Sequence, residues 1–395
     1  MPTPLLLLGD SPRRQTGLAR IARDLATRLQ SDPTLDLQVV QAGPDSGRGE
    51  SWRGWGFFGL PEDDQQWGAT ALAETWQTAF GTEPGVVLTV WDPARCFHLL
   101  QARHLLPPET QWWGYFPVDA WTVRESFGGP AAQAVQTYDR VLGYGRWGSG
   151  VLKRVTGRPT PYLPHGLDLG TFAPGTTPEV YAEVRQILGR RVTDQTLVLG
   201  CVAANQPRKD LGSYCATLRT LLDRGAPVHG WLHTDLPIGV RETQWVVPQL
   251  VDEYDLRKHF TVTSALTDVG LAGFYAVCAA TLACGLGEGF GYPIVESLAC
   301  GTPAIHSTYG GGAELVPRSE WRIPVRAERV EGPYALVRPV YLAEDFANAF
   351  ERVVDWRRQN ALFAGAYCRG AVAHLDWAAL WPRWASWIRT GLKEL

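Results

Sequence analysis

Gly285-Leu286-Gly287-Glu288-Gly289-Phe290-Gly291-Tyr292-Pro293-Ile294-Val295-Glu296-Ser297-Leu298-Ala299-Cys300-Gly301-Thr302-Pro303 is the stretch whose reading decides the fold. Alternating glycines from Gly285 to Gly291 cannot pack as a strand, and they let the backbone come close to a ligand. Pro293 suits the first turn of a helix and Gly301 the position just past its end. The spacing therefore predicts a helix of about two turns whose N-terminus points at the Gly-Phe-Gly loop. Free amides at that end and the aligned peptide dipoles favour an anionic or hydroxyl-rich ligand. Glu288 stands in the loop and Glu296 further along, in the helix, so one carboxylate can face each end of an elongated ligand.

Composition sets the outer bounds. At 395 residues the chain exceeds what one hydrophobic core usually covers, so two domains are expected. Hydrophobic residues make up 45% and charged residues 19%, which leaves ample apolar surface for two cores. A net charge of −3 gives no general attraction for nucleic acid or anionic lipid, and argues against a dedicated polyanion binder. Seven cysteines, an odd number with no Cys-x-x-Cys, fit neither a disulfide framework nor a zinc site; reduced, mostly buried thiols are the expectation. Leu5 to Leu8 is too short for the apolar region of a signal peptide and runs into Gly9-Asp10, and no later run approaches membrane-spanning length. A soluble, cytoplasmic protein without a transmembrane segment is expected.

The string from Glu288 to Glu296, followed by Ala299-Cys300-Gly301-Thr302-Pro303-Ala304-Ile305 and by Gly310-Gly311-Gly312-Ala313-Glu314-Leu315-Val316, resembles the Glu-x7-Glu signature of the retaining glycosyltransferases of family 4. The resemblance covers most of the chain, densely from residue 285 to 316 and thinly before residue 160. It implies the α/β fold called GT-B: two Rossmann-like domains facing across an interdomain cleft. The plainer reading of the same residues is a strand-turn-helix in an ordinary α/β domain, with Glu288 and Glu296 as solvated surface charges.

From the start, Pro4 to Gly9 reads as a short buried strand that breaks into the loop from Asp10 to Gly17, and Thr16 can cap the helix that follows. This is the opening unit of a doubly wound domain. The resemblance lays this loop over the donor diphosphate and makes Gly17 a phosphate candidate; a plain turn is the alternative. Leu35 to Gln41 is expected as a strand, whereas residues 43–68 follow no regular pattern. That segment holds Trp52, Trp55, Phe57, Phe58 and Trp67, which suit either a satellite core or a flat stacking surface for an acceptor. A helix is expected over 69–80, strands over 86–91 and 111–116, and the turn Pro117-Val118-Asp119 beyond the second of these. Ligands of doubly wound sheets sit at the carboxyl ends of strands, where Asp92 and Asp119 fall. By resemblance Asp119 touches donor sugar or acceptor; capping the next helix is its ordinary alternative. A strand over 138–143, a helix over 147–156 and a last strand over 160–163 complete the first domain.

Pro164 to Pro174 resembles the segment by which the family crosses between domains, and its Gly/Pro/Thr content is what a linker shows. The expected division is 1–170 as an acceptor-side domain, 171–374 as a nucleotide-sugar-binding domain, and 375–395 as a helix returning to the first. In the second domain, strands are expected over 197–203, 228–232, 260–263, 280–284, 302–306 and 322–325, with helices over 343–356 and 359–374. Arg208 and Lys209 lie in the turn before the helix that begins near Leu211. Two cations there gain nothing from the helix dipole, which points to an anionic ligand. By resemblance Lys209 meets the donor phosphates, while the arginine the family carries five residues earlier is here Ala204, so Arg208 becomes the substitute cation. Resemblance also sets Thr263 beside the nucleotide base. The C-terminal Trp377, Trp381, Trp384 and Trp387 recur at helical spacing, more the mark of a core than of a ligand box.

The function implied is transfer of a hexose from a UDP- or GDP-linked sugar to an acceptor hydroxyl with retention of configuration, an EC 2.4 activity. Lys209, Arg208, Glu288 and Asp119 would form the catalytic set. Glu288, Gly289, Phe290 and Gly291 would hold sugar hydroxyls, Glu296 the ribose, and Gly17 and the Phe290-Gly291-Tyr292 helix start the diphosphate. No Asp-x-Asp motif is present, so no cofactor or metal is required beyond the nucleoside diphosphate sugar. The acceptor stays open among glycan, lipid-linked sugar, small metabolite and modified nucleobase. Two other classes are a non-catalytic scaffold binding nucleotide sugar or glycan, and a glycosidase using Glu288 and Glu296 as its acid and nucleophile.

Overall fold

The computed structural model describes residues 1–45, 50–52, 55–60, 69–175, 177–189, 192–236 and 244–395. The chain divides into two compact units. One comprises Met1–His165, Gly332–Leu336 and Ala378–Leu395, and the other Gly166–Glu331 and Val337–Trp377. No helix among the described residues is long and apolar enough to cross a membrane. All seven cysteines are buried and free.

In the first unit the strands are β1 (Thr3–Gly9), β2 (Leu37–Pro44), β3 (Glu50–Trp52), β4 (Trp55–Leu60), β5 (Val86–Val90), β6 (Gln111–Phe116), the two-residue β7 (Trp121–Thr122) and β8 (Arg140–Gly143). Seven of them form one sheet in the order β3-β4-β2-β1-β5-β6-β8. Pairing is parallel except at the antiparallel edge strand β3. A parallel sheet covered on both faces buries every side chain of a central strand, which is why β1 carries an unbroken run, Leu5 to Leu8, with no exposed surface. The order reverses between β1 and β5, and the loops beyond them are tied together there. Asp10 accepts the Trp91 indole N–H at 2.9 Å and the Thr16 hydroxyl at 2.6 Å. Thr16 in turn caps the helix Gly17–Ser31 by accepting the Ala19 amide.

Two expectations need correction here. Residues 55–60 are not irregular: β4 adds to β2 in parallel, and Trp55 and Phe57 are buried in the core rather than presented to an acceptor. The Trp55 indole donates to the buried Gln41 side chain at 3.1 Å. Glycines at positions 54, 56 and 59 hide this strand from a propensity reading. Trp67 and the side chain of Trp52 lie outside the described residues. The strand expected over 160–163 is reduced to a single bridge between Gly143 and Tyr162, since Pro159 and Pro161 withhold two ladder donors. In the tryptophan stripe of the helix Trp377–Leu392, Trp377 and Trp384 are core and Trp381 and Trp387 are half-buried. The Trp384 indole donates to the Pro164 carbonyl at 3.0 Å, and the Arg140 guanidinium lies over both the Trp113 and Trp387 rings at 5.0 and 4.6 Å.

The second unit holds β9 (Leu197–Val202), β10 (Val228–His233), β11 (Phe260–Thr263), β12 (Ala280–Leu282), β13 (Ala304–Ser307) and β14 (Arg322–Ile323), ordered β11-β10-β9-β12-β13-β14. Every neighbouring pair is parallel. This is the Rossmann order, and its reversal falls between β9 and β12. Two further strands, β15 (Ala327–Glu331) and β16 (Leu336–Val340), pair in a hairpin that the sequence reading does not anticipate. The helix expected from residue 359 begins at Ala364, because the preceding helix Ala343–Gln359 includes that residue and a turn over 360–363 separates the two.

Candidate active site

Ligands of an open α/β sheet bind beyond the carboxyl ends of the strands where the order reverses, because neighbouring connections diverge there and leave a crevice. In the second unit the two loops at that point are 203–210, after β9, and 283–291, after β12. These are the segments carrying Arg208, Lys209 and Glu288.

The first loop makes one turn of 3-10 helix, Pro207–Lys209, and ends at Asp210 in the left-handed conformation (φ +50°). Asp210 caps the helix Leu211–Asp223, its carboxylate accepting the Ser213 hydroxyl at 2.6 Å. The two cations therefore stand just outside the helix, with an acidic cap between them and its positive end. The Leu286 amide donates to the Arg208 carbonyl at 2.7 Å, and the Arg208 guanidinium donates to the Gly287 carbonyl at 3.2 Å, so the loops are joined through their backbones.

Lys209 Nζ meets Glu288 Oε1 at 2.5 Å, both side chains largely buried. Burial alone would push the Glu288 carboxyl up, but Lys209, with Arg208 nearby, outweighs it and holds the group below the usual carboxylate range. A small cavity beside the pair is lined by Ala203, Lys209, Gly285, Glu288, Gly291 and Pro293.

The glycine loop is polarised. Its carbonyls at 285, 286, 287 and 288 are taken respectively by Tyr341 Oη (3.3 Å), Arg338 Nη1 (3.3 Å), Arg208 Nη1 (3.2 Å) and the Gly311 amide (2.9 Å). By contrast, the amides of Gly287, Glu288 and Gly289 have no acceptor among the described residues. The second glycine run packs directly on the first: a Cβ on Gly311 would lie 2.4 Å from the Gly289 carbonyl oxygen. Gly291, at φ +109°, turns the chain into the helix Tyr292–Ala299, and a left-handed Gly301 (φ +81°) follows its end.

The remaining predicted residues are dispersed. Phe290 is buried against Tyr292, whose hydroxyl donates to the Gly166 carbonyl at 3.4 Å. Glu296 is only 3% exposed and accepts the Tyr275 hydroxyl at 2.7 Å, so the two glutamates have separate partners. Thr263, at the end of β11, accepts the Trp231 indole N–H at 3.1 Å and lies 3.0 Å from His233 Nδ1. Gly17 is the first residue of its helix, and Asp119 is half-buried just beyond β6; both belong to the first unit. Among the described residues no group of three or more His, Cys, Asp or Glu side chains could hold a metal ion.

Three site neighbours escape the sequence reading. Arg338 and Tyr341 lie on and just after β16, fifty residues past the loop they hold, and no local motif marks them. His306 is fully buried at the end of β13. Its Nδ1 donates to the Ala283 carbonyl at 2.7 Å, since a carbonyl can only accept, and Nε2 has no partner among the described residues. That nitrogen faces Gly312, where a Cβ would sit 2.7 Å away. Burial pushes the imidazole down from its ordinary value.

Residues 239–353 match the family described as glycosyl transferases group 1. No curated protein matches the sequence. Among solved structures, sucrose-phosphate synthase from Thermosynechococcus elongatus is similar over 100% of both chains, with a TM-score of 0.79 at 18% identity. HepE from Anabaena, solved in complex with UDP and glucose, is similar over 100% of both chains, with a TM-score of 0.73 at 15% identity. The catalytic domain of starch synthase IV from Arabidopsis thaliana, bound to ADP and acarbose, covers 99% of each chain with a TM-score of 0.70 at 11% identity. The chain therefore has the GT-B fold of two Rossmann-like domains.

Proposed function

We propose that this protein transfers a hexose from a UDP- or GDP-linked sugar to an acceptor hydroxyl with retention of configuration. The observation that carries the reading is the polarised loop: carbonyls 285–288 are engaged, amides 287–289 are open, and an ionised Lys209–Glu288 pair stands beside them. Open amides at a helix entrance suit phosphate and sugar oxygens. HepE and starch synthase IV, solved with UDP and with ADP, support a nucleoside diphosphate as the ligand.

In this reading Lys209 and Arg208 stabilise the charge that builds on the departing diphosphate, and the gain belongs to the transition state because that charge is largest there. Glu288 and the amides after it hold the sugar hydroxyls, and Gly291 and Tyr292 open the helix end toward phosphate. Glu296 accepts ribose hydroxyls, Thr263 borders the base, Gly17 serves the diphosphate and Asp119 the sugar or acceptor. The leaving diphosphate takes the acceptor proton on the same face of the sugar, so no protein nucleophile is needed. The scheme requires no cofactor beyond the donor and the acceptor themselves, in a protein working in the cytoplasm.

Incubation with a panel of labelled nucleotide sugars tests this. Slow release of free nucleotide and free sugar is expected without acceptor, and the sugar's initial anomeric form, read by NMR, should match the donor's. Nucleotide binding without any turnover would instead favour a scaffold, a reading to which Ala204 lends some weight. Cleavage of saccharides with no nucleotide dependence would favour a glycosidase.

A further inference from the structure

The geometry points to Arg338 as the positioning residue of the glycine loop, acting with Tyr341 to hold the loop's carbonyls so that its free amides stay presented to a ligand; the ligand's identity rests on the function proposed above, whereas the clamp itself does not. Arg338 is buried on β16, 6% exposed. One end of its guanidinium donates to the Leu286 carbonyl at 3.3 Å and the other lies 3.8 Å from the Glu331 carboxylate on β15. Tyr341, three residues on, donates to the Gly285 carbonyl at 3.3 Å and is itself fixed by Ser307 at 2.7 Å. Successive carbonyls are thus drawn toward side chains arriving from the hairpin.

A loop of four glycines in seven residues has little conformational preference of its own. Without outside restraint it would sample many states, and only a fraction would align amides 287–289, so apparent affinity would fall by that fraction. Glu331 compensates the Arg338 charge locally, so its effect is geometric rather than a direct pull on phosphate. Lysine, a single-point donor, cannot span the Leu286 carbonyl and Glu331 as the planar guanidinium does.

The test compares wild type with Arg338→Gln, Arg338→Lys and Tyr341→Phe by hydrogen exchange on the ligand-free protein, alongside calorimetry with UDP and GDP. Two amides report the loop: Leu286, bonded to the Arg208 carbonyl, and Gly311, bonded to the Glu288 carbonyl. Protection at both should fall at least tenfold in the Arg338 variants and by a smaller factor in Tyr341→Phe, with protection in β9 and β12 unchanged. Nucleotide affinity should fall in the same order, with only partial recovery in Arg338→Lys. If Arg338→Gln proves unstable, Tyr341→Phe, which removes one hydroxyl, carries the test. Unchanged protection at Leu286 and Gly311 in folded variants would overturn the clamp. A wild type that binds neither nucleotide would overturn the functional reading while the exchange result still decides the clamp.

Discussion

Lys209 and Glu288 stand 79 positions apart in the chain and meet at 2.5 Å at the point where the second sheet reverses its order. The sequence expects a separate task of each, and the structure pairs them. The lysine thereby keeps the glutamate ionised in a buried place, and the glutamate holds the lysine at the mouth of the amide-lined loop.

Lys209→Ala removes the cation and strands a buried carboxylate. Donor hydrolysis should fall by about 10²–10³, much more than donor affinity does. Leaving one partner of a buried pair uncompensated costs about 3–5 kcal/mol, so the variant should also melt earlier, and adding Glu288→Gln should restore stability without restoring turnover. Melting temperatures and single-turnover rates separate the two effects. Turnover recovered by the second change would mean that the lysine serves only to neutralise Glu288.

Glu296→Gln should weaken binding of the free nucleoside diphosphate. A charge-assisted hydrogen bond is worth about 1.5–3 kcal/mol, equivalent to roughly ten- to a hundredfold in affinity. The Tyr275 hydroxyl, which donates to Glu296, remains satisfied by an amide oxygen, so the fold should be little affected. Calorimetry that finds wild-type affinity in this variant would remove Glu296 from the ribose site.

Stability should fall with acidification below about pH 6.5. His165 and His306 are buried and pushed below the ordinary value of 6.5, His165 well below it, by loss of hydration. The unfolded chain therefore binds protons that the folded chain does not. The neutral forms are stable above 6.5, and each histidine withdraws about 1.4 kcal/mol per pH unit as pH drops below that value. Together they contribute about 2.7 kcal/mol per unit, until each reaches its lowered folded value. Urea titrations between pH 7.5 and 5 read this slope, and His306→Gln should reduce it by about one proton. Glu288, depressed by its partners, contributes loss only below the ordinary carboxylate range and stays outside this window. An unaltered slope in the variant would show that His306 is protonated within the fold.

Local demands on the backbone were legible in the sequence. Glycines that must turn, such as Gly291 and Gly301, a proline in the first turn of a helix and an unbroken leucine strand are each decided by neighbours a few residues away. They suffice to place the strand-loop-helix units and the candidate loop. The residues around that loop were settled differently. Strand order brings the ends of β9 and β12 side by side and so brings Lys209 to Glu288; a hairpin fifty residues downstream delivers Arg338 and Tyr341 to the loop carbonyls. Trp55 and Phe57, ambiguous between core and surface as sequence, become core once β4 joins β2. Side chains brought together by sheet topology share no local pattern, since their separation along the chain depends on the elements between them. Only the tertiary structure reveals such meetings.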